Sequence, residues 1–107
     1  MNNDATILAL VRAAAAKRIL FLPHAIRQMS RPERLITTSD IWRVINDGEV
    51  IEDYPEDVGG HSCLLLGWGA DQRPLHLVCS PKDDYLALIT AYLPDEDEWS
   101  DDFRRRI

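Results

Sequence analysis

An α+β fold, with N-terminal helices packed on a four-stranded antiparallel sheet, is what this 107-residue sequence predicts, and three observations carry it. Helix-period apolar positions and helix-capping residues are confined to the first half. Three apolar runs then follow one another between Ser62 and Leu93. The turn residues Gly69-Ala70-Asp71 and Pro81-Lys82-Asp83-Asp84 separate those runs, as an antiparallel meander requires.

Asp4 reads as an N-cap, and Ile7, Leu8, Val11, Ala14, Ala15 and Arg18 follow at helical spacing, with Ala13 to Ala16 adding intrinsic propensity. This first helix is expected to end near Arg18. Ile19-Leu20-Phe21-Leu22 is apolar and partly β-branched, and Pro23 pushes Leu22 away from helical backbone angles, so an extended segment and a last helical turn both stand open. Pro23 can occupy the first position of a second helix, His24 to Met29, which Ser30-Arg31-Pro32 breaks. Thr38-Ser39-Asp40 is expected to cap a third helix running to Asn46, with Asp47-Gly48 as its stop.

Val50 to Tyr54 reads as the first strand and Pro55 to Gly60 as a loop. The three runs are Cys63 to Trp68, Leu75 to Cys79 and Tyr85 to Tyr92. His76, Thr90 and Tyr92 are polar interruptions of these runs. Strand alternation puts His76 with Val78 on one face, and Leu88, Thr90 and Tyr92 on one face. A register opposing His76 to Thr90 and Val78 to Leu88 would gather His76, Thr90 and Tyr92 on one surface, and a slip of one residue would separate them. Residues 1–94 are expected to form one domain, followed by an acidic and then basic tail, 95–107. In that tail Trp99 and Phe103, four apart, either dock a final helical turn or remain solvated.

The chain is long enough for one modest core and too short for two domains. With 46% hydrophobic and 28% charged residues it has globular rather than disordered composition. Arg12, Lys17 and Arg18 interrupt the apolar stretch from Ile7 to Leu22, so neither a membrane span nor a signal peptide is expected, and the protein is placed in the cytoplasm. Two cysteines cannot build a disulfide scaffold or a paired zinc motif. Cys63 and Cys79 are expected to be buried thiols, since a site joining them with His61 and His76 would need both strand faces at once. No metal or cofactor is expected.

The net charge is −6, unevenly spread: seven basic residues face three acidic ones up to Arg43, and five face fifteen from Val44 onward. A nucleic acid would have to approach the N-terminal half or a local pocket, because the molecule as a whole repels phosphate. Neither DNA nor a membrane is an expected partner.

His24-Ala25 followed by Arg27, Met29, Arg34, Ile36 and Thr37, then Gly48 to Pro55, Leu64 to Gly67, Arg73 to Val78 and Ile89 to Tyr92, resemble the bacterial domain of unknown function 4258 over residues 19–94. That family is similar to the RelE-like ribonuclease toxins of the barnase and RelE group. The resemblance implies a RelE/barnase-like fold, an RNA substrate and a cognate antitoxin protein with a YgiT-type zinc finger. The family usually has His-Ala-x-x-Arg-Met; here Gln28 holds the arginine position and Arg27 stands one residue earlier, about 100° away round a helix.

The chemistry of metal-independent RNA cleavage needs a base for the 2′-hydroxyl, a cation beside the phosphate and an acid for the leaving 5′-oxygen. Histidine suits the proton transfers, and the arginine fork suits the phosphate. The candidates are His24 or His76 as acid or base, Tyr92 to position the phosphate or donate a proton, and Arg34 with Arg27 or Arg31, beside Thr90, to hold the phosphate. The expected activity is that of an endoribonuclease toxin of a toxin–antitoxin pair. The competing expectation is a protein–protein interaction module without catalysis, in which His76 is a structural residue, His24 a helix cap and the arginines a solvated face.

Overall fold

Residues 3–107 are described by the computed structural model, with the side chains of residues 3 and 4 outside that description. Helix α1 (Asn3–Lys17) leads to a short strand β1 (Ile19–Phe21), then helices α2 (Pro23–Met29) and α3 (Thr38–Asp47). Strands β2 (Glu49–Tyr54), β3 (Ser62–Trp68), β4 (Pro74–Pro81) and β5 (Leu86–Tyr92) complete one sheet in the order β1-β5-β4-β3-β2.

The class is α+β, but the sheet has five strands and is mixed. Strands β2 to β5 form the expected antiparallel meander. The added strand is β1, which pairs with β5 in parallel, Ile19 against Leu86 and Phe21 against Leu88. Its three residues are too few to show a period, so the same apolar stretch reads equally as a helix end. Asp4 stands inside α1 rather than ahead of it, and its side chain lies outside the described residues.

Helix α3 begins one residue earlier than Thr38-Ser39-Asp40 suggested, because the cap is Thr37. Its hydroxyl accepts from the Asp40 amide at 3.1 Å, and the Asp40 carboxylate accepts from the Thr37 amide at 3.1 Å, closing a capping box. At the other end of the helix Arg12 reaches from α1 to the free carbonyls of Ile45 and Asn46 at 2.8 and 2.9 Å.

One face of the sheet meets the helices. Ile7, Val11, Ala14 and Ala15 of α1, Ala25 and Met29 of α2, and Ile41, Val44 and Ile45 of α3 pack on Cys63, Leu65, Leu75, Leu77, Cys79, Leu86, Leu88 and Ala91. Gly67 lets α3 approach β3 closely, since a Cβ there would lie 2.9 Å from Val44. Cys63 and Cys79 are cross-strand neighbours, both fully buried and free. A hydrogen bond to Cys63 and burial together push the Cys79 thiol well above its ordinary range.

The opposite face carries Leu64, Leu66 and His76, all buried, and the tail lies against His76. Residues 95–107 fold back over the sheet. Trp99, 3% exposed, meets the His76 ring edge-on at 4.4 Å, and Phe103 meets Trp68 at 6.4 Å. Arg104 pairs with Glu49 at 2.6 Å and Arg106 with Glu52 at 2.9 Å, while Arg106 stacks 4.7 Å from the centre of Trp99. No helix spans Trp99 to Phe103: Trp99 and Arg106 form an isolated bridge.

Candidate functional site

Parallel pairing explains how distant residues meet. Because β1 and β5 run in the same direction, the chain leaving Phe21 travels beside the chain leaving Leu88, and the Leu22 amide donates to the Leu88 carbonyl at 3.1 Å. Pro23 then starts α2 at its first position, with Leu22 extended at the N-cap and no side-chain cap. His24 therefore does not cap the helix. It lies exposed beside the end of β5.

There a cleft of about 440 Å³ opens, lined by His24, Gln28, Arg34, Thr90, Tyr92, Leu93, Asp95 and Glu98. That volume suits a small organic ligand or a nucleotide. Four of the seven residues predicted to form the site, His24, Arg34, Thr90 and Tyr92, thus share one concave surface. His24 and Gln28 are one helical turn apart and face it together. Arg27 falls outside the lining, as its rotation on the helix requires, and Arg31 also lies outside, in an exposed pair with Glu33 at 3.8 Å. Gln28, Leu93, Asp95 and Glu98 are the lining residues that were not predicted. The i+4 spacing of Gln28 from His24 was a usable signal, whereas the two carboxylates reach the cleft only because the tail folds back.

Arg34 is half-buried and donates from Nη1 to Gln28 Oε1 at 2.8 Å, leaving most of its fork uncommitted and without an ion pair among the described residues. Its backbone is held from below. Arg73 donates to the carbonyls of Arg34 and Leu35 and pairs with the buried carboxylate of Asp40 at 3.1 Å. Leu35 has φ 44, a left-handed conformation uncommon for a branched side chain, and the Arg73 contacts fix it there. Asp40 also accepts from the Ala70 amide at 2.9 Å. Burial acts to raise the Asp40 pKa, but its hydrogen bonds to Ala70 and Thr37 and the neighbouring Arg73 prevail, so the carboxyl stays below its ordinary value.

His76 lies behind the cleft rather than in it. The β4–β5 register is even, but it opposes His76 to Tyr92 and Val78 to Thr90, not His76 to Thr90. A bulge between Val78 and Cys79 then sets Cys79 against Leu88 and turns Leu88 to the helix face, away from Thr90 and Tyr92. His76 is 0% exposed, with Nδ1 3.2 Å from the Tyr92 hydroxyl and Nε2 2.9 Å from the Phe103 carbonyl. Burial holds its pKa below the ordinary histidine value, and burial raises that of Tyr92, so the pair is neutral at neutral pH.

Among the described residues no cluster of three or more His, Cys, Asp or Glu is placed to hold a metal ion, and no helix is long and apolar enough to cross a membrane. A family model described as Domain of unknown function (DUF4258) matches residues 21–93. No curated protein and no solved structure gives a significant match.

Proposed function

The chain belongs to the DUF4258 family, and from that premise and the shape of the cleft we propose that it is a metal-independent endoribonuclease, the toxin of a toxin–antitoxin pair. The observation that supports this most is the convergence of an exposed imidazole, a guanidinium without an ion pair among the described residues, a hydroxyl and a phenol on one nucleotide-sized cleft. Arg34 offers parallel N–H donors to a phosphate and gains strength as charge builds there. His24 can exchange a proton with solvent and with the leaving 5′-oxygen. Thr90 and Tyr92 orient the ribose–phosphate. The finer likeness to RelE and barnase, a cytoplasmic location, and an antitoxin partner with a YgiT-type zinc finger belong to the same proposal.

The test is cleavage of RNA by the purified full chain in the presence of a chelator, with His24→Ala and Arg34→Ala as separate variants. Loss of product formation in both, with unchanged folding, is expected; full activity in both sinks the reading. A second reading draws on a specific observation: Asp95 and Glu98 line the same cleft as Arg34, a composition unfavourable to a polyanion. On that reading the surface binds a protein, and expression of the chain alone leaves growth unaffected.

A further inference from the structure

Tyr92 and His76 form a unit whose direction the tail decides. A backbone carbonyl can only accept, so His76 Nε2, 2.9 Å from Phe103 O, carries the ring proton. In the neutral ring Nδ1 is then the acceptor, and the Tyr92 hydroxyl 3.2 Å away donates to it. With its proton committed inward, the phenolic oxygen has only lone pairs left for the cleft that Tyr92 lines.

Resting on the ribonuclease reading, we propose that Tyr92 accepts the 2′-hydroxyl proton of the bound RNA while its own proton passes to His76 Nδ1, a two-step relay oriented by the Phe103 carbonyl. The 2′-oxygen forms a bond to phosphorus, the bond from phosphorus to the 5′-oxygen breaks, and protonated His24 supplies the proton that the leaving oxygen takes. The products are a 2′,3′-cyclic phosphate and a 5′-hydroxyl, with one proton gained by His76 and one lost by His24. No oxidant or metal enters the balance. Tyr92 meets the substrate; His76 acts through it, as a positioning residue and proton store.

Burial disfavours the cation at His76, while the bond to the Phe103 carbonyl favours it and the charges nearby act in opposite directions. Glu52 on β2 favours the cation, and Arg106 on the tail opposes it. Tyr92 on β5 faces Nδ1, and Glu98 acts on Tyr92 from the tail. Trp99 closes the ring from water. Once protonated, the ring still donates from Nε2 to Phe103 O, so nothing has to move when the proton arrives. Buried histidine with both nitrogens bonded is a common structural arrangement. What distinguishes this one is that its hydrogen-bond partner is itself a wall of the cleft.

Two measurements on the full chain decide it. In long-range proton–nitrogen spectra of histidine-labelled protein, His76 is expected as the Nε2–H tautomer, with its Nδ1 resonance displaced by Tyr92→Phe; an Nδ1–H tautomer, or no response to that substitution, overturns the relay. With a short mixed-sequence oligoribonucleotide as substrate, Tyr92→Phe and His76→Gln are each expected to reduce kcat by about 100-fold. Glutamine can keep a donor on the Phe103 carbonyl but cannot take up a proton, so His76→Gln also abolishes the acid limb of the pH profile while melting as the parent does. A parent that cleaves, with the acid limb intact in both variants, overturns the relay and leaves the ribonuclease reading standing. A parent that cleaves no RNA, even with the expected tautomer, removes that reading and the catalytic role of the relay with it.

Discussion

Tyr92 donates its hydroxyl proton to Nδ1 of His76 at 3.2 Å because the other imidazole nitrogen is already bound to the Phe103 carbonyl. The pair joins the outer face of the sheet to the cleft, and the fold-back of residues 95–107 is what seals it.

Because burial lowers the His76 pKa, the unfolded chain takes up a proton at higher pH than the native one does. The stabilising contribution of neutral His76 is thus complete above the ordinary value of 6.5 and is lost as pH falls below it toward the native pKa. Urea midpoints measured between neutral and mildly acidic pH are expected to fall over that window in the parent. His76→Gln should lack that component of the fall, and equal slopes in both proteins would contradict the assignment.

Arg34 lines the cleft and Arg27 does not. Arg34→Ala is expected to reduce RNA cleavage by about 100-fold, the scale of losing one donor to developing charge. Arg27→Ala should leave the rate unchanged. Comparable losses from the two variants would mean that RNA approaches along the outside of α2 instead.

Trp99 is almost fully buried over His76, and its truncation removes a large apolar contact while opening the sheet to water. Trp99→Ala is expected to cost about 3 kcal/mol in denaturant unfolding. Amide exchange should accelerate along residues 95–107 more than in α1. A loss below about 0.5 kcal/mol would mean that the tail does not hold this position in solution.

Asp40 combines an acceptor for the Thr37 amide in the capping box, an acceptor for Ala70 and the partner of Arg73 in one buried carboxylate. Asp40→Ala strands the guanidinium and removes the carboxylate half of the α3 capping box, for an expected loss of about 3 kcal/mol. It should also weaken cleavage, since Arg73 holds the backbone that presents Arg34. Calorimetry and the cleavage assay read the two effects separately.

Gly67 lies against α3, where an added methyl group would press on Val44. Gly67→Ala is expected to cost about 1–3 kcal/mol through displacement of that helix, with the cleft residues unaffected. A neutral melting temperature would show that α3 can shift freely.

Local rules determined most of the frame. The i+3 and i+4 spacing in α1 and α3, Pro23 at the head of α2 and the three apolar runs of the meander each declare their own structure, because a helix or strand must bury one stripe or one face. The resemblance that singled out His24, Arg34 and His76 also belongs to the sequence, as does the rotation that separates Arg27 from Gln28. Other features depend on partners distant in the chain. Ile19–Phe21 is a strand only because the edge of β5 is free to receive it. The bulge that turns Leu88 away from Thr90 arises from fitting β4 to β5. The burial of His76 comes from a tail whose acidic composition suggests solvent exposure, yet whose Trp99, Arg104 and Arg106 find an aromatic ring and two carboxylates on the sheet. The sequence by itself determined the inventory of the site and the elements that carry it. Tertiary structure alone decided which of those groups face the cleft, because that depends on register and on long-range docking, and neither has a period that a linear pattern can express.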